Sequence, residues 1–165
     1  MMTGGVIDPV MFRRTTWVCA NAERMAAFYA AVFGMRRWYD STLAVDARFP
    51  PTGAPDQALA RLIILQATDP EVGMIGFLSY LDDLPEALSL GPPLDRRVRP
   101  GQTVKVFNCT DVHALADRAI AAGAVIATPP AEWSVPARDG VGRTWLRMLC
   151  FFDPEGGYCE VSQRV

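Results

Sequence analysis

Two stretches of the chain repeat one order of hydrophobic and polar positions. In the first, a strand-like run from Arg13 to Ala20 leads to Asn21, a residue type that favours a helix N-cap. The segment AERMAAFYAAVF follows, with Met25, Phe28, Tyr29 and Val32 at helical spacing, and Gly34 supplies a left-handed stop. In the second, the run Thr103 to Cys109 leads to Asp111 as N-cap. The pattern VHALADRAIAA then predicts a helix with Val112, Leu115, Ala119 and Ile120 on its apolar face, ended by Gly123. The two caps lie 90 residues apart (111 − 21), the mark of a duplicated unit.

Extended stretches follow each helix. They are Arg36 to Arg48, Ala58 to Gln66 and Val72 to Tyr80 in the first half, and Ala124 to Thr128, Arg143 to Phe152 and Tyr158 to Gln163 in the second. Each half therefore reads β-α-β-β-β, and the fold class is α+β. A first module is expected over residues 12–81 and a second over 102–165. Residues 82–101, rich in proline and charge, form the linker. The arginines Arg96, Arg97 and Arg99 suit a solvated or subunit-contacting face better than an anion site. The stretch from Pro129 to Arg143 carries Trp133 and Arg138 among prolines and glycines and predicts an irregular loop over a cavity mouth.

Asp153-Pro154-Glu155-Gly156 has the residue preferences of a type I turn and should join the last two strands as a hairpin. In the final strand Tyr158, Glu160 and Ser162 share one face, while Cys159 and Val161 share the other. The apolar pair should pack on a helix, which points Glu160 into the concave side of the sheet.

Composition narrows the function classes. Half of the residues (50%) are hydrophobic, so a packed core is expected. A net charge of -2 and the lack of a basic run give no attraction to nucleic acid or anionic membrane. Apolar runs such as Leu62 to Leu65 are too short to span a bilayer. The first ten residues have no basic region followed by an apolar core, so a cytoplasmic protein is expected. The four cysteines form no C-x-x-C pair and lie in strand-like runs, which reads as buried free thiols. The single histidine, His113, falls on the hydrophilic face of the second helix. No Ser/His/Asp set, P-loop, G-x-G-x-x-G or H-E-x-x-H is present.

The strand before Asn21, the helix motif FYAAVFGM, the unit VFNCTDVHALADR and the segment FFDPEGGYCEV together resemble the vicinal oxygen chelate superfamily. That superfamily holds glyoxalase I, the bleomycin-resistance proteins and the extradiol dioxygenases. The resemblance implies two tandem β-α-β-β-β modules forming a curved mixed sheet around a cavity, commonly in a homodimer. It also implies metal-ligand positions, which in this chain are Arg14, Lys105, Gly76 and Glu160. Arginine does not ligate, and lysine must first lose its proton. The resemblance thus implies that the metal is lost and no cofactor is bound.

Arg14, Lys105 and Glu160 are expected to converge where the ion would have been. There they either hold an anionic oxygen or fill the space as an ion pair. Strand parity adds Thr16, Phe107 and Tyr158 to the expected ligand contacts, with Trp38 and Trp133 from neighbouring segments. The expected function is a metal-free protein that sequesters or senses a small organic ligand in a dimeric cavity. The alternative is a glyoxalase-like isomerase or lyase acting on a small carbonyl compound, with Lys105 and Glu160 as the acid-base pair.

Overall fold

The computed structural model describes residues 10–82 and 91–165. The N-terminal residues 1–9 and the linker residues 83–90 lie outside the described part. The first module runs β1 (Arg14–Val18), α1 (Ala22–Phe33), β2 (Arg36–Val45), β3 (Ala58–Gln66) and β4 (Met74–Tyr80). The second runs β5 (Val104–Asn108), α2 (Val112–Ala121), β6 (Val125–Pro136), β7 (Arg143–Phe152) and β8 (Tyr158–Arg164). The fold is α+β, with two four-stranded mixed sheets ordered β1-β4-β3-β2 and β5-β8-β7-β6. No helix among the described residues is long and apolar enough to cross a membrane.

Local chemistry explains the helix boundaries. Asn21 accepts a hydrogen bond from the Arg24 N–H at 2.9 Å, and Asp111 accepts one from the Ala114 N–H at 3.0 Å. Gly34 closes α1 in the left-handed region, at φ 68°, and donates to the Ala30 carbonyl. Met25, Phe28, Tyr29 and Val32 are buried, as their spacing predicts. In α2 the buried set is Val112, Leu115, Ala116 and Ala119. Ile120, expected on that face, is exposed. It stands about 80° around the helix from Val112 at 3.6 residues per turn, so the small Ala116 takes its place.

Each sheet has one face covered by helices. Ile63, Leu65, Ile75 and Phe77 from the first sheet, and Leu149, Phe151, Cys159 and Val161 from the second, join both helices in a single core. Phe28 and Phe33 of α1 reach Phe151 of the second module, so this core spans the two modules. The opposite, helix-free faces differ. On the first sheet Val18, Leu43, Val45, Ala60, Leu62 and Leu78 make a second apolar cluster. Thr52, in the segment joining β2 to β3, packs back there by donating to the Tyr80 hydroxyl at 2.9 Å.

The stretch from Pro129 to Pro136 corrects the sequence reading, since it continues β6 instead of looping over a mouth. β6 is an edge strand, so a proline whose nitrogen points outward forfeits no ladder hydrogen bond, and register shifts at Ile126/Thr128 and Thr128/Ala131 absorb Pro129 and Pro130. The four cysteines are free thiols, three of them buried.

Candidate functional site

The turn between β7 and β8 ties the modules together. The Gly156 N–H donates to the Asp153 carbonyl at 3.0 Å, which closes the expected β-turn. The Asp153 side chain accepts from the N–H groups of Glu155 at 3.1 Å and Gly157 at 2.8 Å. Glu155 then reaches across to the first module. Its carboxylate accepts from the N–H groups of Ala20 at 2.8 Å and Asn21 at 3.0 Å, where the positive end of α1 favours an anion.

Lys105 enters this junction from β5. It is buried, and its Nζ donates to Asp153 Oδ2 at 2.9 Å and to the Tyr29 hydroxyl. The Tyr29 hydroxyl in turn donates to Asp153 Oδ2 at 2.8 Å. The ammonium lies 3.4 Å from the centre of the Trp17 ring, a close cation–π contact. Burial foremost, then the neighbouring Cys159 and Asp153, push the Tyr29 hydroxyl well above its ordinary pKa. Burial likewise raises the Cys159 thiol to about 11. Gly157 is required by the crowding, because a Cβ there would overlap Trp17, Asp153 and Lys105.

Lys105 and Glu160 do not converge. Lys105 pairs in register with Cys159, whereas Glu160 pairs with Val106. Paired residues share a face and neighbours alternate, so Lys105 faces the helices and Glu160 faces away. Lys105 thus takes Asp153 as its counter-ion. The internal repeat shows where the sequence reading slipped: adding 90 to Arg14 and Thr16 gives Val104 and Val106, the residues of β5 on the helix-free face. The pairs Thr16–Gly76 and Val106–Glu160 occupy matching positions, which makes Gly76 the counterpart of Glu160. A Cβ at Gly76 would lie 2.7 Å from Thr16 Oγ1.

The remaining predicted residues divide as follows. Thr16, Lys105 and Tyr158 line one cleft of about 350 Å³ between β1 and the start of β5 and β8, with Trp17 also in its lining. Arg14 donates to Thr16 Oγ1 at 3.1 Å beside it. Phe107 packs against the core and stacks on Phe33 at 3.9 Å between ring centres, on the opposite face from Glu160. Trp38 occupies the β2 bulge beneath the Arg13 guanidinium, and Tyr39 takes the ladder position opposite Ile64 instead. Trp133 lies on β6 opposite Leu146, on the same face as Glu160 and 58% exposed.

Glu160 therefore lies half-buried on this helix-free face, between the buried Cys150 and an apolar β5 edge that is open to solvent. Val104 and Val106 beside it are 40% and 65% exposed, and Cys150 and Tyr158 adjoin it. Its carboxylate has no hydrogen-bond or ion-pair partner among the described residues. Burial, then Cys150 and the Glu160 charge, raise the pKa of the Tyr158 hydroxyl. A divalent metal needs several imidazole, thiolate or carboxylate donors on one ion. The residues at the repeat-related positions (Arg14, Val104, Gly76 and Glu160) supply one carboxylate and do not fit it. Among the described residues no three His, Cys, Asp or Glu side chains come together to hold an ion.

Sequence reasoning missed Trp17, Tyr29, Asp153, Glu155 and Gly157 as parts of the junction. A lysine inside the apolar run VKVFN was the available signal, because a buried ammonium requires a carboxylate and hydrogen-bonding partners.

No protein-family model matches the chain, and no curated protein matches it. Solved structures do. A glyoxalase-family protein from Bacillus cereus is 10% identical over 98% of this chain and 98% of its own, with a TM-score of 0.75. TioX from Micromonospora is 15% identical over 94% and 100%, with a TM-score of 0.53. A mutant of the fosfomycin resistance protein FosX from Listeria monocytogenes, complexed with Mn(II) and a dihydroxypropylphosphonic acid, is 15% identical over 99% and 95%, with a TM-score of 0.52. These likenesses give the chain the glyoxalase/bleomycin-resistance fold.

Proposed function

We propose that this protein binds a small organic molecule without a metal, on the helix-free face of the second sheet. The observation that carries the reading is the exposed apolar edge, Val104 and Val106, beside the Glu160 carboxylate. On the first sheet the corresponding face makes an apolar cluster of its own side chains, with Thr52 of the β2–β3 segment bonded to Tyr80. On the second sheet Val104 and Val106, beside Tyr158 and Glu160, stay open to solvent, and contact with a flat ligand would remove them from water. Tyr158 belongs both to this face and to the junction cleft, so a ligand on the face extends toward Thr16 and Lys105.

The enzyme alternative loses its acid-base pair. Lys105 and Glu160 lie on opposite faces of the sheet and cannot act on one substrate atom together. Lys105 instead holds the module junction, the ion-pair role with a different carboxylate from the one expected. A homodimer fits the exposed apolar residues and is part of the proposal.

Calorimetric titration with a library of flat organic molecules tests the reading, with and without a chelator. Binding that survives the chelator and is lost in the double variant Val104→Asn/Val106→Asn supports it. Binding abolished by the chelator, or unaffected by the double variant, overturns it.

A further inference from the structure

We infer that the ligand of this face is an organic cation, a flat molecule bearing an amine or an N-alkylated heteroaromatic ring. The inference rests on the binding role proposed above and adds its charge. Glu160 lies on β8, with β5 on one side and β7 on the other, and its in-register neighbours Val106 and Cys150 neutralise nothing. Along β8 the same face carries Tyr158 and Ser162, again uncharged at neutral pH. The next cation on that face of the strand is Arg164, four residues on and roughly 13 Å away along an extended strand. Its counterparts across the sheet are Leu146 and Trp133, at the far end of the face.

A carboxylate among apolar side chains, with no partner among the described residues, selects by charge. A neutral ligand gains only apolar contact there and must cover the carboxylate without compensating it, which costs binding energy. An anion is repelled. A cation pairs with Glu160, and the Tyr158 ring beside it offers a π face to the same charge. Phe152 packs against Tyr158 at 5.1 Å between ring centres and holds that ring in place.

Three probes of one shape and different charge test this: N-methylquinolinium, 1-methylnaphthalene and 1-naphthoate, titrated into the full chain. The cation is expected to bind about tenfold tighter than the neutral probe, the scale of one partly solvated charge pair. Glu160→Gln should remove that advantage, weakening the cation while the neutral probe binds as well or better, since it no longer covers a charge. Val106→Lys, at an exposed edge-strand position opposite Glu160, should also remove that advantage by supplying an internal cation, beyond any loss of apolar contact shared by all three probes. Added salt should weaken only the cation. Equal binding of cation and neutral probe, tighter binding of the anion, or a cation affinity untouched by both variants overturns the charge assignment while leaving a binding face. No binding by any probe overturns the binding role as well.

Discussion

The Lys105 ammonium and the Asp153 carboxylate meet at 2.9 Å, and both are buried. They lie 48 residues apart in the chain and join the first strand of the second module to its last hairpin. Tyr29, the third member, belongs to the first module, so the cluster fixes how the two modules pack.

Removing one partner from such a pair strands the other. Asp153→Ala should destabilise the protein by about 3–5 kcal/mol, because it leaves the Lys105 charge uncompensated and frees the turn N–H groups. Lys105→Met should cost less, since Asp153 keeps the Tyr29 hydroxyl and two backbone donors. Urea unfolding of both variants checks the order. The reverse order would contradict the assignment of Asp153 as the centre of the network.

Gly157→Ala should destabilise by about 1–3 kcal/mol, the usual cost of forcing atoms into a filled site. The added methyl meets Trp17, Asp153 and Lys105. Trp17→Leu in the same chain should recover part of that loss, a coupling that a double-mutant cycle reads directly. Purely additive costs would place the clash elsewhere.

Glu155→Ala removes the acceptor of two N–H groups at the start of α1. A loss of about 1–2 kcal/mol is expected, comparable with deleting a strong N-cap. Hydrogen exchange should show the first turn of α1 opening more readily, with α2 unaffected. Uniform loss across both helices would mean that Glu155 acts through the whole core instead.

The buried thiols give a pH dependence. Burial, with Glu155 adding to it, raises the Cys19 pKa to about 12, and burial raises Cys159 to about 11, from an ordinary value of 9.0. Thiols that hold their protons more tightly when folded contribute stability in full below about pH 9, and lose it as the pH climbs through 11 to 12. The urea midpoint should therefore fall between about pH 8 and pH 10.5, and fall less in Cys19→Ala/Cys159→Ala. An unchanged midpoint would contradict the burial of these groups.

Much of the architecture was legible in the sequence because it is written locally. Asn21 and Asp111 announce their helices by the hydrogen bonds their side chains can make, and the Asp-Pro-Glu-Gly turn announces its hairpin. The face of Lys105 was not legible from its distance to Asp111, since strand parity reverses with a single residue. Counting by the 90-residue repeat would have placed Val104 opposite the position of Arg14, leaving Lys105 to find a carboxylate in the core. The prolines of β6 misled for a different reason: their missing N–H matters only where a neighbouring strand needs it, and sequence alone does not reveal which strand is the edge. The face of Glu160 was legible because its neighbours Cys159 and Val161 are apolar and pack inward.

Elemental analysis of the purified protein is the sharpest test of the proposal that this fold binds its ligand without a metal. Samples would be measured as isolated and after incubation with zinc, nickel, manganese and ferrous ions, followed by removal of free metal. Far less than one ion per chain is expected in every case, with Glu160→Gln no different from the wild type. One ion per chain that disappears in Glu160→Gln would contradict it, and would make Glu160 a ligand whose partners the second copy of the chain or the residues outside the described part supply.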